Sequence, residues 1–417
     1  MGYNHVVKYF LRGTISVLVA IHLTAVAKAT ATFGDDIAFL RKHTTVIVLG
    51  NEASAAQLAL APVWQARVMT STAQGNSGWS FGWINRELIE SGKILPHINA
   101  FGGEDRLWLG PEGGQFSIFF PKGAPFDYEH WLVPASLDTQ PFRVVSYSSN
   151  RAQFKANITL TNYSGAEFKV ALEREVRLLD TTTSREELGL PASSRINIVG
   201  YQSTNVLANV GSASWKKETG LLSIWILGMF TPAETATIIV PIKPGPESEL
   251  GPVVTSDYFG AIPPNRLKVT PTALFLKGDG RFRSKIGVSP RRSLGVLGSY
   301  DAEHHVLTIV QFNQPRNITD YVNSQWKLQA DPYRGDVINA YNDGPPTPGG
   351  RPIGPFFEME SSSPAAALLP AARIKHIRRT FHLTGTEHDL DIVSRKVLGM
   401  PLVQLTAALQ SGEQRHE

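Results

Sequence analysis

The sequence predicts an all-β fold of large antiparallel sheets with few short helices. Three observations carry that prediction. Segments rich in β-branched and aromatic residues recur along the chain, cut by Gly, Pro, Asn and Asp turns. The stretch "FKANITLTNYSGAEFKVALEREVRLL" alternates, turns at Asn162-Tyr163-Ser164-Gly165 and alternates again, as a half-buried hairpin does. Helical periodicity is confined to Asp35 to His43, Ser184 to Gly189 and Asp389 to Leu409. Many strands with so little helix imply packed antiparallel sheets.

Taken in order, the chain opens with Lys8 and Arg12, the apolar run "TISVLVAIHLTAVA" and small-residue sites at Ala25-Val26-Ala27 and Ala27-Lys28-Ala29. A basic region, a short apolar region and an A-x-A site predict a secretory signal over residues 1–29. That run is short for a membrane span, which needs ~20 residues. A single β domain is expected over 33–395, with a C-terminal helix and tail over 396–417. Its strands are read in "FSIFFP", "RVVSYSS", "QFKANITLTNY", "KVALEREVRLL", "GLLSIWILGMF", "ATIIVPI", "ALFLKG" and "HVLTIVQFN". The Pro/Gly-rich piece "NDGPPTPGGRPIGP" is a loop, because strand-like sequence resumes directly after it. No fixed-period repeat is visible, which removes propellers and solenoids.

Composition narrows the function classes. Net charge is +4 over 417 residues, with Lys and Arg scattered rather than striped. No nucleic-acid partner is expected from that distribution. No later segment reads as transmembrane, so no membrane partner is expected after signal cleavage. The chain has no cysteine, so its stability rests on the core, and a periplasmic or secreted location fits an exported chain without disulfides. No G-x-S-x-G elbow and no phosphate loop occur. The adjacent His304 and His305 read as a solvated pair rather than a metal site.

General acid–base chemistry survives this filter. If "FFEMES" is a strand, Glu358 and Glu360 share one face, ~6.6 Å apart along the backbone, with Phe357 and Met359 on the other. Two carboxylates among apolar neighbours push one pKa upward. The alternative is a solvated strand face. In "AFGGEDRLWLGPEGGQF", preceded by His97, Arg106 and Trp108 alternate to one face and Asp105 and Leu107 to the other. Glu104, Arg106 and Trp108 are a candidate pocket lining, against a structural Arg–Glu brace. In "LKGDGRFRSKIGVSP", Arg281, Arg283 and Lys285 share a strand face, either a solvated edge or further substrate contacts. "DPYRGDVINAYNDG" offers oxygens to calcium without EF-hand spacing and is read as turn residues. No metal or other cofactor is expected, with calcium kept only as an alternative.

The stretches "GGEDRLWLGPEGGQF" and "FEMESSSPAAALLP", the latter followed by His376 and "RTFHL", resemble the galactose-mutarotase-like (aldose 1-epimerase-like) superfamily. The resemblance covers most of the chain after the signal. It implies a β-supersandwich and a sugar cleft across one sheet. It also implies a Glu base on the anomeric hydroxyl and an acid on the ring oxygen. Carried over, the base falls on Glu360, with Glu358 second. The acid falls on Asp257 before Tyr258-Phe259, where members carry a His, and Phe101 stands where members carry a His before the Gly pair. His97, Glu104, Arg106, Trp108, Arg283, Lys285 and His376 then surround the sugar. The expected function is that of an exported carbohydrate-active protein, an epimerase-like isomerase acting on a sugar. The alternatives are a non-catalytic carbohydrate-binding protein of the envelope and an oligosaccharide hydrolase or lyase.

Overall fold

The computed structural model describes Met1 and residues 31–51, 53–191, 195–347 and 349–409. Apart from Met1, the expected signal lies outside the described residues, and the fold below is that of the unit beginning at Ala31. Its framework is a ten-stranded antiparallel sheet. The strands run in the order Leu267–Val269, Ala273–Lys277, Thr237–Pro241, Val296–Asp301, Val306–Phe312, Arg373–Thr384, Asn197–Asn209, Glu167–Leu179, Arg151–Thr161 and Arg143–Tyr147. Facing it is a five-stranded sheet ordered Ser284–Val288, Ile338–Asn342, Phe357–Ser362, Ser223–Phe230 and Arg106–Gly110. A three-stranded sheet, Ile47–Leu49, Gln57–Ala61 and Arg67–Thr72, completes the β structure.

Alternation decides which face of the large sheet is wet. Along Glu167–Leu179, Phe168, Val170, Leu172 and Val176 are buried while Glu167 and Lys169 are exposed. The outer face is laced by cross-strand pairs such as Lys155–Glu173 at 2.9 Å, each worth little in water. The smaller sheet is buried on both faces. Its inner side chains Ile286, Ile338, Ala340, Phe357 and Met359 pack against Ile238, Val240, Leu274 and Val310 of the large sheet.

Charge is also buried between the layers. Asp105 accepts from Arg174 at 2.5 Å and from Ser203 at 2.9 Å, and Arg174 also donates to Asn205 at 2.6 Å. Arg378 caps the small sheet's backbone, donating to the Met359 carbonyl at 2.9 Å. Such a network is weak evidence for stability, but stripping one partner from it is expensive.

Three expectations need correction. "FSIFFP" forms no strand: Ser117 ties the segment locally by donating to the Glu112 carbonyl and accepting from the Phe119 amide. Its apolar side chains Ile118, Phe119 and Phe120 are buried by packing instead. "VINAYN", read as turn residues, contains the strand Ile338–Asn342, pinned between two neighbours. The C-terminal helical run is two helices, Glu387–Val397 and Leu402–Ala407, because Gly399 takes φ 76° and Pro401 precedes the second helix. Leu402 and Leu405 are buried with Leu390 and Val393, so the second helix is packed rather than a free tail.

Candidate functional site

Register places the site on the outer face of the five-stranded sheet. Residues directly opposite each other on paired strands share a face. Met229, Glu358, Tyr341 and Lys285 form one such row, and Arg106, Leu227, Glu360 and Asn339 form the next. Trp108 pairs with Trp225 on the same face. Loops bring Glu112, Tyr128, Trp131, Phe259, Trp326 and Phe356 around this row, forming a half-open cup.

The cup is aromatic with paired charges set into it. Trp108 lies edge-on to Trp225 at 5.5 Å between ring centres, and Trp131 stacks on Trp326 at 5.6 Å. Arg106 lies over the Trp108 ring at 4.1 Å and donates to Glu358 Oε1 at 3.0 Å. Lys285 Nζ lies 4.8 Å from the Trp225 ring and 3.3 Å from Glu360 Oε2. The Trp225 indole donates to the same oxygen at 2.8 Å. Arg283 lies over Phe259 at 3.8 Å.

Burial governs the titration of these groups. Desolvation pushes the Glu358 carboxyl up to about 8, against the pull of Arg106 and with the repulsion of Glu360. Glu112 is likewise raised by burial, although Lys285 lowers it. For Lys285 burial lowers the pKa, but Glu360, Glu112 and Glu358 outweigh that and the net shift is upward. At neutral pH the cup therefore holds a protonated carboxylic acid beside fixed cations.

Of the sequence-derived candidates, Arg106, Trp108, Arg283, Lys285 and Glu358 come together as lining. Glu360 shares their sheet face but sits wholly buried beneath Lys285 and Trp225. His97 stands behind the wall, its Nδ1 2.9 Å from the Trp131 carbonyl and its ring against Tyr128.

Three others lie elsewhere. Asp257 is exposed, 64% accessible, and accepts from Gln325 at 2.7 Å, so the burial that an acid role required of it is missing. Glu104 turns into the interior to meet His382 Nε2, whose Nδ1 is 2.9 Å from Thr308 Oγ1. His376 is buried on the opposite face, with Nε2 2.9 Å from Ser361 Oγ. Desolvation, then Arg378, pulls its pKa down to about 3. Strand parity separates it from the cup, since Ser361 and Glu360 are consecutive and point apart.

Sequence reasoning missed Trp225, Trp131, Trp326, Tyr128, Tyr341 and Glu112. Trp225 had a signal: in "SIWILGMF" it shares parity with Leu227 and Met229, both lining. Beside the cup, Tyr258 donates to Asp336 Oδ2 at 2.7 Å and accepts from Asn339 at 3.1 Å. Burial raises Asp336 to about 6. Among the described residues, no group of three or more His, Cys, Asp and Glu is arranged to hold a metal ion.

A family model described as a family of unknown function, DUF6786, matches residues 31–409. No curated protein matches the chain. Among solved structures it is similar to the Slr1438 protein of Synechocystis sp. PCC 6803, at 12% identity and TM-score 0.49, over 82% of this chain and 96% of that one. It is also similar to a galactose mutarotase-like protein of Lactobacillus casei ATCC 334, at 12% identity and TM-score 0.44, over 81% and 100%. A galactose mutarotase related enzyme of Lactobacillus acidophilus is similar at 10% identity and TM-score 0.44, over 81% and 97%.

Proposed function

This chain belongs to DUF6786, a family of unknown function, and we propose that its cup binds a sugar on which Glu358 moves a proton. The observation that carries the proposal is the position of Glu358. It is a carboxyl titrating near 8, held by Arg106 and lining a half-enclosed cup of aromatic rings. Aromatic faces pack against the C–H faces of a pyranose, while charged groups hydrogen-bond its hydroxyls. A carboxyl protonated at neutral pH is matched to donating a proton.

The reaction these groups fit is exchange of anomers. Glu358 gives its proton to the ring oxygen as the C1–O5 bond breaks. Glu112, the second lining carboxyl, takes the proton of the anomeric hydroxyl. The open aldehyde rotates, and the same steps reversed close the ring with both protons returned. The export reading, from Lys8, Arg12 and the apolar run after them, stands as part of the proposal and places the chain in the periplasm or outside the cell.

The test is one-dimensional NMR of anomer exchange on the purified protein with a panel of aldoses, with binding followed by tryptophan fluorescence. Wild type is expected to accelerate exchange. Glu358→Gln is expected to slow it by about a hundredfold or more, the usual scale for losing an acid–base group, while sugar remains bound. The second reading is a sugar-binding protein without turnover. It is favoured by one observation, that no histidine is among the cup's lining residues. Binding without any exchange by wild type would establish that reading instead.

A further inference from the structure

Resting on the sugar reading above, we propose that the sugar accepted by this cup carries a carboxylate, and that Arg283 receives it. The cup has an excess of unmet donors. Its lining atoms that are buried without a hydrogen-bond partner are Arg106 Nε and Nη1, Trp108 Nε1, Trp131 Nε1 and Arg283 Nε, every one a donor. Buried donors left unpaired are costly, so a ligand that fits must bring acceptors. A neutral sugar brings hydroxyl oxygens; the charge distribution asks for more.

Two of the three lining cations have a carboxyl partner in place, Arg106 with Glu358 at 3.0 Å and Lys285 with Glu360 at 3.3 Å. Arg283 has none. No carboxylate lies within ion-pair distance, 4.0 Å, of its guanidinium among the described residues. The acidic neighbour Asp343 is already engaged, accepting from Tyr341 at 2.8 Å and from the Gly354 amide at 2.8 Å. Its guanidinium carbon lies 3.8 Å over the Phe259 ring, and both side chains line the cup. A planar guanidinium without an ion-pair partner matches one carboxylate by a two-point contact.

The experiment is a fluorescence or calorimetric titration of the full chain with D-glucuronate and D-galacturonate, the matching neutral hexoses and their 6-phosphates. Wild type is expected to bind a uronate at least tenfold more tightly than the matching hexose. In Arg283→Gln that ratio should fall to near one, with hexose still bound and the unfolding midpoint near wild type. Arg283→Lys, which keeps the charge, should retain part of the preference. Equal affinity for uronate and hexose in wild type overturns the proposal while leaving the sugar reading intact. A preference that persists in Arg283→Gln, or a stronger preference for the 6-phosphates, also overturns it. Failure of every sugar to bind removes the sugar reading and this inference together.

Discussion

Lys285 and Glu360 show how a lining charge is held by a partner buried beneath it. Glu360 is inaccessible to solvent, and its Oε2 takes both the Lys285 ammonium at 3.3 Å and the Trp225 indole at 2.8 Å. Its other oxygen has no partner. The pair fixes the Trp225 ring, the floor of the cup, and positions Lys285 against it. Lys285→Met leaves a buried carboxylate uncompensated and should cost about 3–5 kcal/mol. Adding Glu360→Gln to that variant should recover a substantial part of the loss, because the amide carries no charge to desolvate. Urea denaturation of the four members of the cycle measures the coupling. A Lys285→Met loss below about 1 kcal/mol would show the pair to be solvated, in the range of surface pairs. The residue types of this pair were legible in the sequence and their partnership was not. They lie 75 positions apart and meet only through the register of the intervening Ile338–Asn342 strand.

At the scale of elements, the Gly pair in "FGGEDRLW" does a structural task that its composition left ambiguous. Gly102 and Gly103 take φ of 99° and 109°, and a Cβ on Gly102 would stand 2.1 Å from the Trp83 carbonyl oxygen. The kink lets Glu104 and Asp105 enter the interior before Arg106 and Trp108 alternate into the cup. Gly102→Ala should therefore cost more than about 2 kcal/mol, combining positive-φ strain with a backbone clash. Gly92→Ala is the control: φ is 61° but nothing lies within 4 Å of its Cβ position, so about 1 kcal/mol is expected. Equal losses in thermal denaturation would show that the close approach contributes nothing. Strand parity was the legible part of this element and of Phe357–Ser362. It placed Arg106 with Trp108, and Glu358 with Glu360, on the faces they occupy. Parity could not say which face of a sheet buried on both sides carries the cup. Glu104 lies in the interior because it precedes the strand, just after the Gly102–Gly103 kink, and His376 because it belongs to the ten-stranded sheet.

For the whole molecule, the two buried layers set opposing pH dependences. Asp336, beside the cup, titrates near 6 in the fold, with burial the main cause and its hydrogen bonds from Tyr258 and Thr255 pulling the other way. Its folded pKa lies above the ordinary value of 3.8, so the folded state holds the proton more tightly. The stability it contributes is fully present below pH ~4 and is lost as pH rises through about 6. His376, between the sheets, titrates near 3, below its ordinary 6.5, so its contribution is present above pH ~6.5 and is lost as pH falls. Between pH 4 and 6 the two slopes oppose, and stability there should vary less than either group alone would dictate. Asp336→Asn removes one limb without removing the acceptor for Tyr258. The difference in unfolding free energy between pH 4 and pH 7 should then shift by about 2 kcal/mol in favour of the higher pH, from a rise of about two pKa units of which this window samples most. Because the readout is a difference between two pH values, a uniform loss of stability in the variant cancels. An unchanged difference, measured by urea denaturation at both pH values, would mean that Asp336 keeps its ordinary pKa of 3.8 in the fold.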